Sequence, residues 1–163
     1  MTDLPYASVV PVFDGYLARL DGLIARAMGL EDARLAPDMF DLEEQARIAA
    51  QFTLRVACPL AGQAVPPSPD DLPLADVVRA TRAQLGLLTP PMFADAGNRR
   101  YSVEAGQGIR DLDAETFLLQ FGIPNIQFHM AMVYALLRSK GVAVGKADFD
   151  GVHVYEAGFS FSD

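Results

Sequence analysis

Few side chains in this chain of 163 residues are equipped for chemistry: two histidines, one cysteine and scattered carboxylates. His129 has the most informative position. It lies in PNIQFHMAMVYALLRSKG, Pro124 to Gly141. Taking every third or fourth residue there puts Leu118, Gly122, Asn125, His129, Met132 and Leu136 on one stripe. Asn125 and His129 are therefore expected to face the same interior as the core leucines. An imidazole titrates near neutrality and an amide fixes hydrogen-bond direction, so this pair suits proton transfer or the orientation of a small ligand. The plainer reading is a core histidine, because a buried donor is tolerated with a single partner. No carboxylate or nucleophile falls beside His129 by spacing.

The other candidates are weaker. Cys58 precedes Pro59 on a helical pattern and has no adjacent base, so it reads as a small buried hydrophobe and not as a nucleophile. Asp38, Asp41, Glu43 and Glu44 cluster where a helix opens, and acids at that position cap the helix and face its positive dipole end before they bind a cation. One cysteine and two histidines give no zinc-finger or cluster spacing.

The elements that must position these residues read as all-α. Hydrophobic residues make up 51% and charged residues 21%, the composition of one globular domain that needs no disulfide or structural metal. A formal charge of −8 repels phosphate backbones and anionic lipid, which argues against nucleic-acid and membrane partners. There is no signal-peptide pattern and no uncharged apolar run of ~18 residues, and the lone cysteine fits a reducing compartment. The reading is a cytoplasmic, soluble protein.

An amphipathic first helix of about five turns is expected from near Ser8 to Met28, with Gly29 as its stop. Leu30 to Asp41 reads as a crossing loop plugged by Met39 and Phe40. Asp41 caps a second helix whose inner face is Gln45, Ala46, Ala49, Phe52, Thr53 and Val56, with Pro59 bending or ending it. Gln63 to Pro73 is a surface linker, and Leu74 to Leu88 forms the third helix, stopped by Pro90 and Pro91. In RRYSVEAGQGIRDL, Arg99 to Leu112, the alternation of Tyr101 and Val103 with polar residues and the turn at Ala105 to Gly108 predict a β-hairpin over one end of the bundle. Asp113 caps the fourth helix, which Gly122 and Pro124 should kink or briefly break. The chain leaves through a polar exit after Gly141 to a tail in which Val152, Val154, Phe159 and Phe161 alternate at strand period. Such an arm should pack on its own bundle or on a second copy.

Three pieces in order, RLAPDMF (Arg34 to Phe40), GIPNIQFH (Gly122 to His129) and YALLRSKGVAVGKADF (Tyr134 to Phe149), resemble an uncharacterised bacterial domain-of-unknown-function family within the DinB/YfiT-like superfamily. The resemblance covers about Leu4 to Gly151. It implies an up-down-up-down four-helix bundle, often dimeric, in which many members hold a divalent metal with three histidines and some are thiol-dependent transferases or isomerases. Two of those ligands sit four residues apart on the last helix and the third comes from the second helix. His129 matches the second of the pair, Asn125 stands at the first, and Gln45 is the nearest match for the third. Amide oxygens are poor ligands for a borderline ion, so no metal and no cofactor are expected.

The resulting expectation is a helical domain over residues 1–151 with an extended arm over residues 152–163. Its function would be a non-catalytic small-molecule-binding or homodimeric module with a degenerate metal site, in which His129, Asn125 and Gln45 form the ligand-binding set. The alternative is a metal- or thiol-dependent transferase or isomerase acting through His129.

Overall fold

Four long helices carry the chain, and each starts or stops for a local reason. The computed structural model describes residues 6–156, 158–160 and 162. Helix α1 (Val10–Ile24) has Pro11 in its first turn, where a missing amide costs least, and buries Phe13, Leu17, Leu20 and Leu23. It ends one turn earlier than its periodicity predicts. The chain continues in turns to Gly29, whose φ of +78° makes the exit, and Met28 lies in solvent.

Helix α2 (Leu42–Leu60) opens on a complete capping box. Asp41 accepts from the Glu44 amide at 2.9 Å, and the Glu44 carboxylate accepts from the Asp41 amide at 3.2 Å. Arg34 fixes the loop before it, donating to the Met39 carbonyl and the Asp41 carboxylate, both at 2.7 Å. The expected inner face of α2, Gln45 through Val56, is buried throughout, and Pro59 sits in the last turn without breaking the helix. Phe40 does not plug the loop; it is 51% exposed and lines surface cavities instead.

Helix α3 (Leu74–Leu85) buries Val77, Val78, Thr81 and Leu85. Strands β1 (Arg100–Ala105) and β2 (Gly108–Asp113) pair antiparallel, Arg100 opposite Asp113, through a two-residue turn whose first residue, Gly106, has φ +63°. The hairpin docks through Tyr101, which stacks on Phe117 at 4.6 Å and donates its hydroxyl to the Ala96 carbonyl at 2.7 Å.

Asp113 caps the last long helix by accepting from the Thr116 amide at 2.8 Å. That helix runs unbroken through α4 (Ala114–Thr116), a π-helical stretch (Phe117–Gly122) and α5 (Ile123–Ser139). The expected kink at Gly122 and Pro124 is therefore absorbed without a break. The Ile123 amide reaches back five residues to the Leu118 carbonyl, and Pro124 falls in the first turn of α5, where it needs no donor. The π turn accommodates one extra residue, and the buried stripe slips accordingly. It reads Leu118, Gly122, Ile126, His129 and Met130, Val133, then Leu136 and Leu137, with Asn125 and Met132 only half-buried.

Helix α2 is the hub, packed against α5 and α3, while α1 lies mainly against α3. The polar exit contains a short helix absent from the sequence expectation, α6 (Lys146–Asp150), which packs on α1 through an Arg26–Asp148 ion pair of 3.0 Å. The tail then leaves the bundle. Asp150 accepts from the Val152 and His153 amides, and these bonds, with that from the His153 ring, hold its carboxyl down at about 2. No strand forms among the described tail residues, and Val152 and Val154 are 77% and 92% exposed. Phe161 lies outside the described residues.

Candidate functional site

His129 and Gln45, 84 residues apart in the chain, meet at the contact between α2 and α5. His129 Nδ1 and Gln45 Oε1 are 2.6 Å apart, and the two residues are only 8% and 2% exposed. An amide oxygen only accepts, so Nδ1 carries the proton and donates. The neutral ring therefore keeps its lone pair on Nε2, which has no protein partner among the described residues and is not sealed from solvent. Burial pushes the His129 pKa below its ordinary value, which favours the neutral ring.

The imidazole is clamped by rings. Phe52 of α2 stacks on it at 5.9 Å and Phe128 meets it edge-on at 5.2 Å. Phe121 continues the aromatic column from Phe52 at 5.8 Å, and Phe117 follows at 6.0 Å. The helical stripe gave no sign of this column, because it is assembled from two helices.

Gln45 is the more consequential half of the pair. Its oxygen is committed to His129, whereas its amide nitrogen bonds to nothing in the described protein and is not sealed. Gln45 also lines a cavity of about 470 Å³ whose walls include Arg34, Met39, Phe40, Glu44 and Phe128. His129 lies behind Phe128 and is not part of that wall. Gln45 thus combines an uncommitted N–H₂ with a place on the wall of a hollow that Pro37, Met39, Phe40 and Phe128 share with the charged Arg34, Asp38 and Glu44.

Asn125 does not join this pair by any hydrogen bond. Its Nδ2 donates to the Phe121 carbonyl at 2.6 Å, serving the helix one turn below Pro124. Cys58 is buried, and burial pushes its thiol up, away from the nucleophilic thiolate. Among the described residues no group of three or more His, Cys, Asp and Glu side chains could hold a metal ion. Asp41 and Glu44 are spent on the cap and on Arg34. Among the described residues no helix is long and apolar enough to cross a membrane.

Comparison with known proteins gives a family and a structural neighbour. A family model described as a domain of unknown function, DUF1993, matches residues 6–150. The crystal structure of a DinB family member protein from Shewanella denitrificans superposes with a TM-score of 0.81 at 28% identity, over 93% of this chain and 94% of that one. No curated protein matches the chain.

Proposed function

This chain belongs to the DUF1993 family of domains of unknown function, and from that membership we propose that it is a DinB-like helical bundle that binds a small molecule without a metal and without catalysis. One observation carries the reading: the 2.6 Å bond from His129 Nδ1 to Gln45 Oε1. It spends the oxygen with which Gln45 would bind a cation, so the residues present do not fit the three-histidine metal site expected from the superfamily. A single imidazole nitrogen remains, and one nitrogen with stray amides does not hold a transition ion tightly. His129 then acts as a positioning residue that aims the Gln45 N–H₂ at a carbonyl or ether oxygen, while Phe40, Met39 and Phe128 supply apolar contact. Asn125 supports the site indirectly, by tying down the helix turn that precedes His129.

The transferase or isomerase alternative draws on the same geometry, since His129 Nε2 is an available proton acceptor. It lacks a nucleophile, because Cys58 is buried as a thiol. In the same proposal residues 1–151 are the binding bundle and residues 152–163 an arm that pairs two copies.

The test is a fragment screen by NMR on the full chain alongside elemental analysis. Neutral carbonyl-bearing fragments should shift Gln45, Phe40 and Phe128, and Gln45→Leu should abolish those shifts. Stoichiometric zinc or nickel bound through His129, or fragments indifferent to Gln45→Leu, would overturn the reading.

A further inference from the structure

A second hollow, of about 540 Å³, lies at the other end of α2, where β1 leans over the helix. Its apolar floor includes Phe117 and Phe121, the end of the aromatic column, and its rim carries Arg55, Arg99 and Arg100 against one carboxylate, Glu104. Arg100 is neutralised by Asp111 at 2.9 Å. Arg99 is held in place by donating to the Leu60 carbonyl at the end of α2, where its guanidinium lies against Gly62, and its Nε is buried without a partner. Arg55 is the unusual member. Its guanidinium lies over the Phe52 ring at 4.4 Å, and no carboxylate pairs with it among the described residues. In a chain of formal charge −8, this is a local excess of positive charge beside an aromatic column that is buried except at the half-buried Phe121.

We propose that this hollow binds an aromatic carboxylate, with the carboxylate taken by Arg55 and the ring laid against Phe121, the half-buried end of the column. The guanidinium fork matches a carboxylate with two parallel N–H bonds, and Arg55 stands at the boundary between this hollow and the neighbouring one that it lines with Phe52. Arg99, fixed beneath the hairpin, adds positive potential without giving up its bond to Leu60. Glu104 opposes an anion, but with Arg100 already paired to Asp111 it faces both Arg55 and Arg99, so the hollow keeps a positive excess and selects by charge as well as by shape. Neither Gln45 nor His129 lines this hollow, and Gln45 lines a different one.

Benzoate, its neutral isostere benzamide and acetate, each titrated into the full chain and followed by amide chemical shifts, separate the charge from the ring. Benzoate should saturate near or below about 1 mM, with shifts at Arg55, Tyr101 and Phe121, and benzamide and acetate should each bind at least about tenfold more weakly. Arg55→Met should weaken benzoate about tenfold or more, whereas Arg79→Met, which removes the same charge from the exposed surface of α3, should leave it unchanged. Gln45→Leu should also leave it unchanged, which separates this site from the proposed function. Benzamide binding as well as benzoate, equal weakening by Arg79→Met, or no saturation at tens of millimolar would each overturn the proposal.

Discussion

Gly122→Ala is the substitution most sensitive to the way the last helix is packed. In an exposed helix interior, replacing glycine by alanine stabilises by about 1 kcal/mol. At Gly122 an added Cβ would stand 2.7 Å and 2.9 Å from the two methyls of Val56 and 3.2 Å from the Phe117 carbonyl. Carbon atoms pack best near 3.5–4.0 Å, so about 1 Å of separation must be found. Val56 is fully buried on α2, and because both of its methyls are hit, turning χ1 still leaves one of them in the way. The helices must part, at a cost of about 1–3 kcal/mol that exceeds the propensity gain. The expected net loss is up to about 2 kcal/mol, or as much as roughly 4–8 °C in Tm for a domain of this size. Gly22→Ala is the control: in α1, nothing lies within 4 Å of an added Cβ, and stability should rise by about 0.5–1 kcal/mol. Calorimetry of both variants and of Gly122→Ala with Val56→Ala decides the matter. The double variant should lose less than the sum of its parts by at least about 0.5 kcal/mol. A Gly122→Ala protein as stable as the Gly22→Ala protein would refute the close approach of the π turn to α2.

Other consequences follow from the same contacts. Asp41→Ala removes the cap of α2 and the acceptor of Arg34, and should cost about 2 kcal/mol in urea unfolding, whereas Asp41→Asn, which keeps the cap, should cost less than half of that. Because burial lowers the His129 pKa, the unfolded chain takes up this proton first. Stability is therefore full above about pH 6.5 and falls as the pH drops towards the folded value, by at most about 1.4 kcal/mol per pH unit. His129→Phe should flatten that slope below about pH 6.5 in urea melts, and an unchanged slope would contradict the burial argument. Deleting residues 152–163 should halve the molar mass seen by light scattering if the exposed Val152 and Val154 join two copies, and an unchanged mass rejects the arm as the joint.

Much of this architecture is written in local patterns. The Asp41 cap is legible because an acceptor followed three residues later by Glu44 states its own hydrogen bonds, and the hairpin because Gly106 supplies the conformation its turn needs. The inner face of α2 is legible from helical spacing alone. What was not legible depends on contacts between distant segments or on small backbone adjustments. A glycine followed two residues later by proline is compatible with a kink, a break or a π turn. Only the packing of Gly122 on Val56 selects the π turn, and its extra residue moves Ile126 to the place that a strict helix gives to Asn125. Helix α6 is five residues long, too short to show a period, and is held by Arg26 from the far end of the chain. In the site, His129 stands out by spacing, but Gln45 enters only through the family resemblance. Nothing in either helix alone announces that one side chain fixes the other.

The central claim is that Gln45 holds His129 as the neutral tautomer protonated at Nδ1, leaving one open nitrogen and no set of donors for a metal. Long-range ¹H–¹⁵N spectra of the His129 ring near neutral pH, recorded without and with one equivalent of zinc, measure this directly. A protonated Nδ1 and a bare Nε2 are expected in both spectra. A ring protonated on Nε2, or one whose nitrogens shift stoichiometrically with zinc, would contradict it.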